Sequence, residues 1–322
     1  GVIIIKEETG LQSILTAASV VLPLFLMLSL GFGVKRARLV DDGALRQMNN
    51  LCFRVFLPIL LFYNIYKTDI KSSFDGKLLL FAVGSVLASF LFTFLLIPRI
   101  EPENPRRGVL IQGIFRSNFI IFGLPVTISL YGAERAGAAA ILISVIVPMY
   151  NVLSVFALEF FRSGKVRLKK LLRGVATNPL ILGSAAGLLV LFSGIRFPEI
   201  LDRTLSELSA IATPFALVIL GASFHFDKVR GNKKQLILGL AGRLLVLPCM
   251  FLPLGVLCGF RGVELAALVA MFCSPTAVSS FTMAQQMGGD SELAGQLVVF
   301  GSAFSLVSLF GVIFILKQLS LL

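Results

Sequence analysis

Within the apolar stretch RSNFIIFGLPVTISLYGAERAG, residues 116 to 137, stand a guanidinium at Arg116, a carboxamide at Asn118 and the step Gly123-Leu124-Pro125. Proline removes a backbone donor and biases the residue before it away from helix, so an interruption is expected at the Gly-Leu-Pro step. An interrupted helix leaves backbone N–H and C=O groups unpaired. In a bilayer such groups survive only against other protein or along a cavity, so the break points to a binding site and not to a lipid-facing wall. The free N–H groups at a half-helix N-terminus carry fractional positive charge, which suits a carboxylate.

The elements that must hold this stretch are set by composition. The chain has 322 residues, 57% hydrophobic and 14% charged, with mean hydropathy +0.92. It has apolar runs of helix-spanning length and lacks the short alternation of an outer-membrane barrel. An all-α polytopic membrane protein follows. The opening GVIIIKEETG, with Glu7 and Glu8 ahead of the first apolar run, does not read as a cleavable signal. Cys52, Cys249, Cys258 and Cys273 lie in apolar runs without ligand spacing, and His225 stands alone, so no metal and no cofactor are expected. The net charge of +12 sits in short loops, which makes it a topology signal and not a nucleic-acid footprint.

Ten spans are expected, at about 11–34, 43–66, 76–97, 107–130, 135–160, 172–193, 201–225, 234–259, 262–287 and 292–316. Of the 29 Lys and Arg residues, 17 fall on one set of alternate loops and 9 on the opposite side. The positive-inside rule makes the first set cytoplasmic, places both termini outside, and implies an inner (plasma) membrane location. Three cations remain inside spans: Arg54, Arg116 and Arg243.

Sliding the chain against itself by 156 to 158 residues reveals a repeat. Pro23 and Gly31 match Pro179 and Gly187, Pro58 matches Pro214, and Gly84 matches Gly242. Five spans per unit is an odd number, so the second copy inserts upside down. The expected domains are residues 1–163 and 164–322, two inverted five-helix repeats. Symmetry then calls for a second broken helix in span nine, where MFCSPTAVSSFTMAQQMGG offers Ser274-Pro275 followed by Thr276, Ser279 and Ser280. That interruption is expected between Pro275 and Ser280.

The spacing from Asn118 through Gly123-Leu124-Pro125 to Tyr131-Gly132, with NPLILGSAAGLL at span six and GGDSELAGQLVVFGS before span ten, resembles the auxin efflux carrier family. The similarity covers nearly the whole chain. It implies a ten-span carrier with a sodium/proton antiporter-like fold, with spans one, two, six and seven as scaffold and spans three to five and eight to ten as a moving core. It further implies that Asn118 contacts a substrate carboxylate and that Pro125 is the crossover proline. Plant members carry a second proline where Ser280 stands here, and their long cytoplasmic loop is replaced by the short FRSGKVRLKKLLR.

The candidate substrate-binding residues are thus Asn118, Gly123, Leu124, Pro125, Pro275, Thr276, Ser279, Ser280, Arg243 and Asn49. Arg243 and Arg116 read either as substrate attraction or a conformational lock, or as side chains snorkelling to the interface; Arg54 leans to the latter. Asn49, Asn50 and Asn151 read first as interhelical hydrogen-bonding groups. Glu207 and Glu159 are the only acids away from loops and span edges, and they do not form the paired carboxylates of an antiporter.

The function expected is secondary transport of a small organic acid anion, an auxin-like monocarboxylate or a malate- or malonate-like dicarboxylate, by alternating access. The alternatives are a Na⁺- or H⁺-coupled symporter of a larger organic anion and a ligand sensor without flux. The partners expected are the anion, the lipid bilayer, Na⁺ or H⁺ as candidate coupling ions and a second copy as a candidate homodimer partner. Nucleic acid is not expected. An enzyme is excluded because the spans hold no His-bearing motif, no paired carboxylates and no base for the serines.

Overall fold

A computed structural model describes residues 21–67, 75–132, 135, 137–162 and 168–322. Among them there are helices and no strands, the one extended pairing being an isolated antiparallel bridge between Ser117 and Thr276. Helix α1 covers 21–36, α2 Asp42–Tyr66, α3 Gly76–Ile100, α4 Asn104–Phe115, α5 Phe119–Tyr131 and α6 Gly137–Arg162. Then come α7 Leu168–Ala176, α8 Pro179–Ser193, α9 Glu199–Ala222, α10 Asp227–Leu257, α11 Gly262–Cys273, α12 Ser279–Met287 and α13 Ser291–Gln318. Six of these, α2, α3, α6, α9, α10 and α13, are long and apolar enough to cross a membrane. The first ten residues of the first expected span and the Ser163 to Arg167 part of the central link lie outside the described residues.

The helix starts follow capping chemistry. Asp41, Asp75, Asn178 and Asp290 each accept a backbone N–H from the first turn they precede, and Pro179 follows Asn178 where a missing N–H is harmless. Large apolar side chains such as Leu80, Leu91, Phe192 and Val307 stay exposed, which suits contact with lipid.

Close helix contacts run through glycines. A Cβ on Gly31 in α1 would lie 2.0 Å from the Val218 carbonyl oxygen of α9, and one on Gly187 in α8 would lie 2.9 Å from the Phe62 carbonyl oxygen of α2. Gly221 of α9 likewise meets Leu28 of α1, and Gly183 of α8 meets Pro58 of α2. Small residues let backbones approach where lipid supplies no hydrophobic drive between helices.

Two helices stop and restart in mid-bundle. Between α4 and α5 the chain is extended at Arg116 (φ −87°, ψ 126°), and between α11 and α12 it is extended at Ser274 (φ −65°, ψ 146°), the residue before Pro275. The second interruption, Ser274 to Val278, overlaps the expected interval and begins one residue before it. The first does not fall where the proline suggested. The helix passes through Gly123, Leu124 and Pro125 to Tyr131, and the break lies at Arg116 to Asn118. Pro125 deprives the Ile121 carbonyl of its helical partner, a loss tolerated within membrane helices; pairing with the second break is what opens the chain at Ser117.

Candidate functional site

The two interruptions cross. Asn118 donates its backbone N–H to the Pro275 carbonyl at 2.8 Å, beside the Ser117–Thr276 bridge. Thr276 Oγ1 donates to the Gly113 carbonyl at 2.6 Å, and Gln112 Nε2 donates to the Ser280 carbonyl at 3.1 Å. Each broken helix thus supplies hydrogen-bond partners that the other lost on opening.

Four helix ends meet here, and the chain treats the two polarities differently. The C-terminal carbonyls of α4 and α11 converge on one side chain, Arg243 of α10, which is 1% exposed. Its Nε donates to Ser274 O at 2.8 Å, Nη1 to Ile114 O and Phe115 O at 3.2 and 3.3 Å, and Nη2 to Met271 O and Phe272 O at 2.6 and 3.0 Å. A planar guanidinium with five donors can satisfy this set; an ammonium point charge cannot. Each helix C-terminus carries roughly −0.5 charge, so one guanidinium offsets about two of them. Arg243 is therefore neither a cavity-lining cation nor a snorkelling one, which sets aside substrate attraction at the cavity wall and the interfacial position and leaves the conformational lock.

The N-terminal ends of α5 and α12 face a cavity of about 50 Å³. One wall is Arg116 through Ile121, Val147, Tyr150, Asn151 and Ala277 through Ser279. The opposite wall is Leu57, Leu60 and Leu61 of α2, Leu180 of α8, and Thr213 and Ala216 of α9. None of these residues is acidic. Asn118 occupies the N-cap of α5 without using its side chain to cap, and its Nδ2, like Ser117 Oγ, is buried without a hydrogen-bond partner. Such groups are costly in isolation.

Arg116 adds a full positive charge to the same wall. It is 4% exposed and donates to Asn151 Oδ1 at 2.6 Å and Ser279 Oγ at 2.7 Å, with Met283 Sδ as its third contact. All three partners are neutral.

Of the expected site residues, the cavity wall holds Asn118 and Ser279. Pro275, Thr276 and Ser280 belong to the crossover behind it, where they brace the breaks. Asn49 is buried away from the cavity and donates to the Thr282 carbonyl at 3.4 Å, the interhelical role. Pro125 is exposed on α5, and the side chains of Gly123 and Leu124 lie outside the described residues. Arg116, Tyr150 and Asn151 are the additions. A signal for the first was present, a cation two residues before Asn118; for the others the sequence offered only polarity in an apolar span. Glu207 is exposed beside Arg203, and Glu159 pairs with Arg162 at the end of α6, so neither acid reaches the cavity.

A family model described as membrane transport protein matches residues 16–313. An uncharacterized transporter of Methanothermobacter thermautotrophicus is 24% identical over 295 residues, 90% of this chain and 95% of that protein. Another, from Methanocaldococcus jannaschii, is 22% identical over 294 residues, 89% of this chain and 95% of its own length. A protein of Rhizobium meliloti named "Putative malonate transporter" is 23% identical over 307 residues, 92% of this chain and 95% of that protein.

Proposed function

Since this chain belongs to the membrane transport protein family, the auxin efflux carrier family that its sequence resembles, we propose that it is a secondary carrier of small organic acid anions, working by alternating access. The observation that carries the reading is the sorting of helix ends. Arg243 offsets the negative ends of α4 and α11, while the positive ends of α5 and α12 stay open to a cavity that also holds Arg116 and no carboxylate. Two N-termini at roughly +0.5 each, together with Arg116, make about two positive charges at the site. A mono- or dicarboxylate answers that charge, with its apolar part against Leu57, Leu61 and Leu180. The relative named for malonate supports the dicarboxylate end of this range.

The same sorting speaks against cation coupling at the crossover. The carbonyls that would ligate Na⁺ are already taken by a tethered guanidinium.

In the architecture we propose, ten spans form two inverted repeats, residues 1–163 and 164–322, with both termini outside an inner membrane. Two reciprocal contacts support it. Gly31 packs on Val218 and Gly187 on Phe62, and the members of each equivalent pair, Gly31 with Gly187 and Phe62 with Val218, are 156 residues apart. At the crossover the Ser117–Thr276 bridge has as its counterpart the Asn118–Pro275 hydrogen bond, at an offset of 158. Helices α1, α2, α8 and α9 form the scaffold, and the helices around the crossover form the core. The cavity lies between them, and at about 50 Å³ it is well below the 300 Å³ or more that encloses a typical ligand. At this volume the walls must part for an organic acid to enter.

Uptake of radiolabelled malonate into proteoliposomes tests the reading. A carrier shows saturable flux; saturable binding with no flux would make the protein a sensor, and a requirement for a sodium or proton gradient would restore the coupled symporter.

A further inference from the structure

We propose that this protein is an anion exchanger: Arg116 is the counter-charge of the carried anion, and the core crosses readily only when the site is filled. This rests on the carrier reading above and concerns how the empty site returns. The contacts of Arg116 come from α6 and α12, through Asn151, Ser279 and Met283, and its own chain position joins α4 to α5. Every one of these elements belongs to the core, so the charge travels with it. Arg243 needs no such partner, because five helix-end carbonyls accompany it.

The surface that Arg116 must pass is apolar. Leu57, Leu60, Leu61 and Leu180 form most of the opposite wall, with Thr213 and Ala216, and no carboxylate is among them. Asn118 Nδ2 and Ser117 Oγ, unpaired on the same wall as Arg116, face the same problem. With an anion bound, charge and donors are answered together, and the filled core slides past the leucines as a near-neutral body. Empty, it drags an uncompensated cation and two orphan donors through a low-dielectric gap, which is unfavourable. Translocation with anion in both directions is therefore favoured over net release.

The test uses proteoliposomes of the full chain loaded with radiolabelled malonate. Valinomycin and potassium are present so that charge movement itself does not limit efflux. Efflux into unlabelled malonate is compared with efflux into methanesulfonate. The proposal expects the malonate medium to accelerate efflux about tenfold, the factor that corresponds to 1.4 kcal/mol. In Arg116→Gln the ratio should fall toward one, whereas Arg54→Gln, changed at an exposed position outside the cavity, should keep the wild-type ratio. Equal efflux into both media from the wild-type protein overturns the exchange mode while leaving the carrier reading intact. An undiminished ratio in Arg116→Gln overturns the role of that residue. Absence of saturable malonate flux and binding overturns the carrier reading for this substrate and the proposal with it. Should Arg116→Gln fail to insert, the wild-type ratio decides alone.

Discussion

Two buried arginines of the same residue type do opposite work because their partners differ. Arg243 is surrounded by acceptors that carry helix-dipole charge; Arg116 has neutral partners and a cavity. Arg243→Gln leaves most of those carbonyls without a donor, and removing one partner of a buried charge network is expected to destabilise by about 3 kcal/mol or more. Thermal unfolding in detergent should show the loss with and without ligand. Arg243→Lys should recover little of it, because an ammonium cannot fork among carbonyls of two helices. The partners of Arg243 were not legible in the sequence, which shows only that a cation sits in mid-span; what the guanidinium meets depends on 114–115 and 271–274 arriving from elsewhere in the chain. Asn118 was singled out through the family resemblance, and it stands at an N-cap of α5 that its own side chain leaves unused.

At the scale of the element, the informative failure is the first break. Proline marked it in sequence, yet α5 runs through Pro125, and the chain opens seven to nine residues earlier, at Arg116 to Asn118. Local propensity named the right helix and the wrong turn, because the opening is set by cross-pairing with Thr276 and Pro275 and not by a missing N–H. In the second break both causes coincide at Ser274-Pro275, and there the sequence located it closely. It follows that Pro125→Ala should retain anion affinity in equilibrium binding, and by restoring a helical donor should stabilise α5; loss of binding would return the site to the proline. Glycine contacts give a second test. Gly31→Ala places a Cβ 2.0 Å from the Val218 carbonyl oxygen, so α1 and α9 must separate, at an expected cost of about 1–3 kcal/mol. Gly84→Ala meets nothing within 4 Å on an exposed face of α3 and should be neutral or stabilising by about 0.5–1 kcal/mol. The unfolding midpoint should therefore fall in Gly31→Ala and hold or rise in Gly84→Ala.

For the whole molecule, composition and apolar run length reached the membrane and the helix class, because runs of about 20 mostly uncharged apolar residues are long enough to span as helices. The repeat we propose was read from a few prolines and glycines at a common offset, residues of the kind that mark helix starts and close approaches. The charge balance of the centre was not legible, being a sum over helix ends and two side chains from distant segments. With the crossover carbonyls occupied by Arg243, uptake should be the same when sodium is replaced by choline on both sides; a steep sodium dependence would show that an ion reaches them. The most direct measurement is equilibrium binding of radiolabelled malonate to the purified protein, by scintillation proximity, for wild type, Asn118→Ala and Arg116→Gln. Saturable binding that weakens about tenfold or more in each variant is the expected result, in line with losing a hydrogen bond to a charged group at about 1.5–3 kcal/mol. Undiminished affinity in both variants would mean that the anion does not meet the positive ends of the crossed helices.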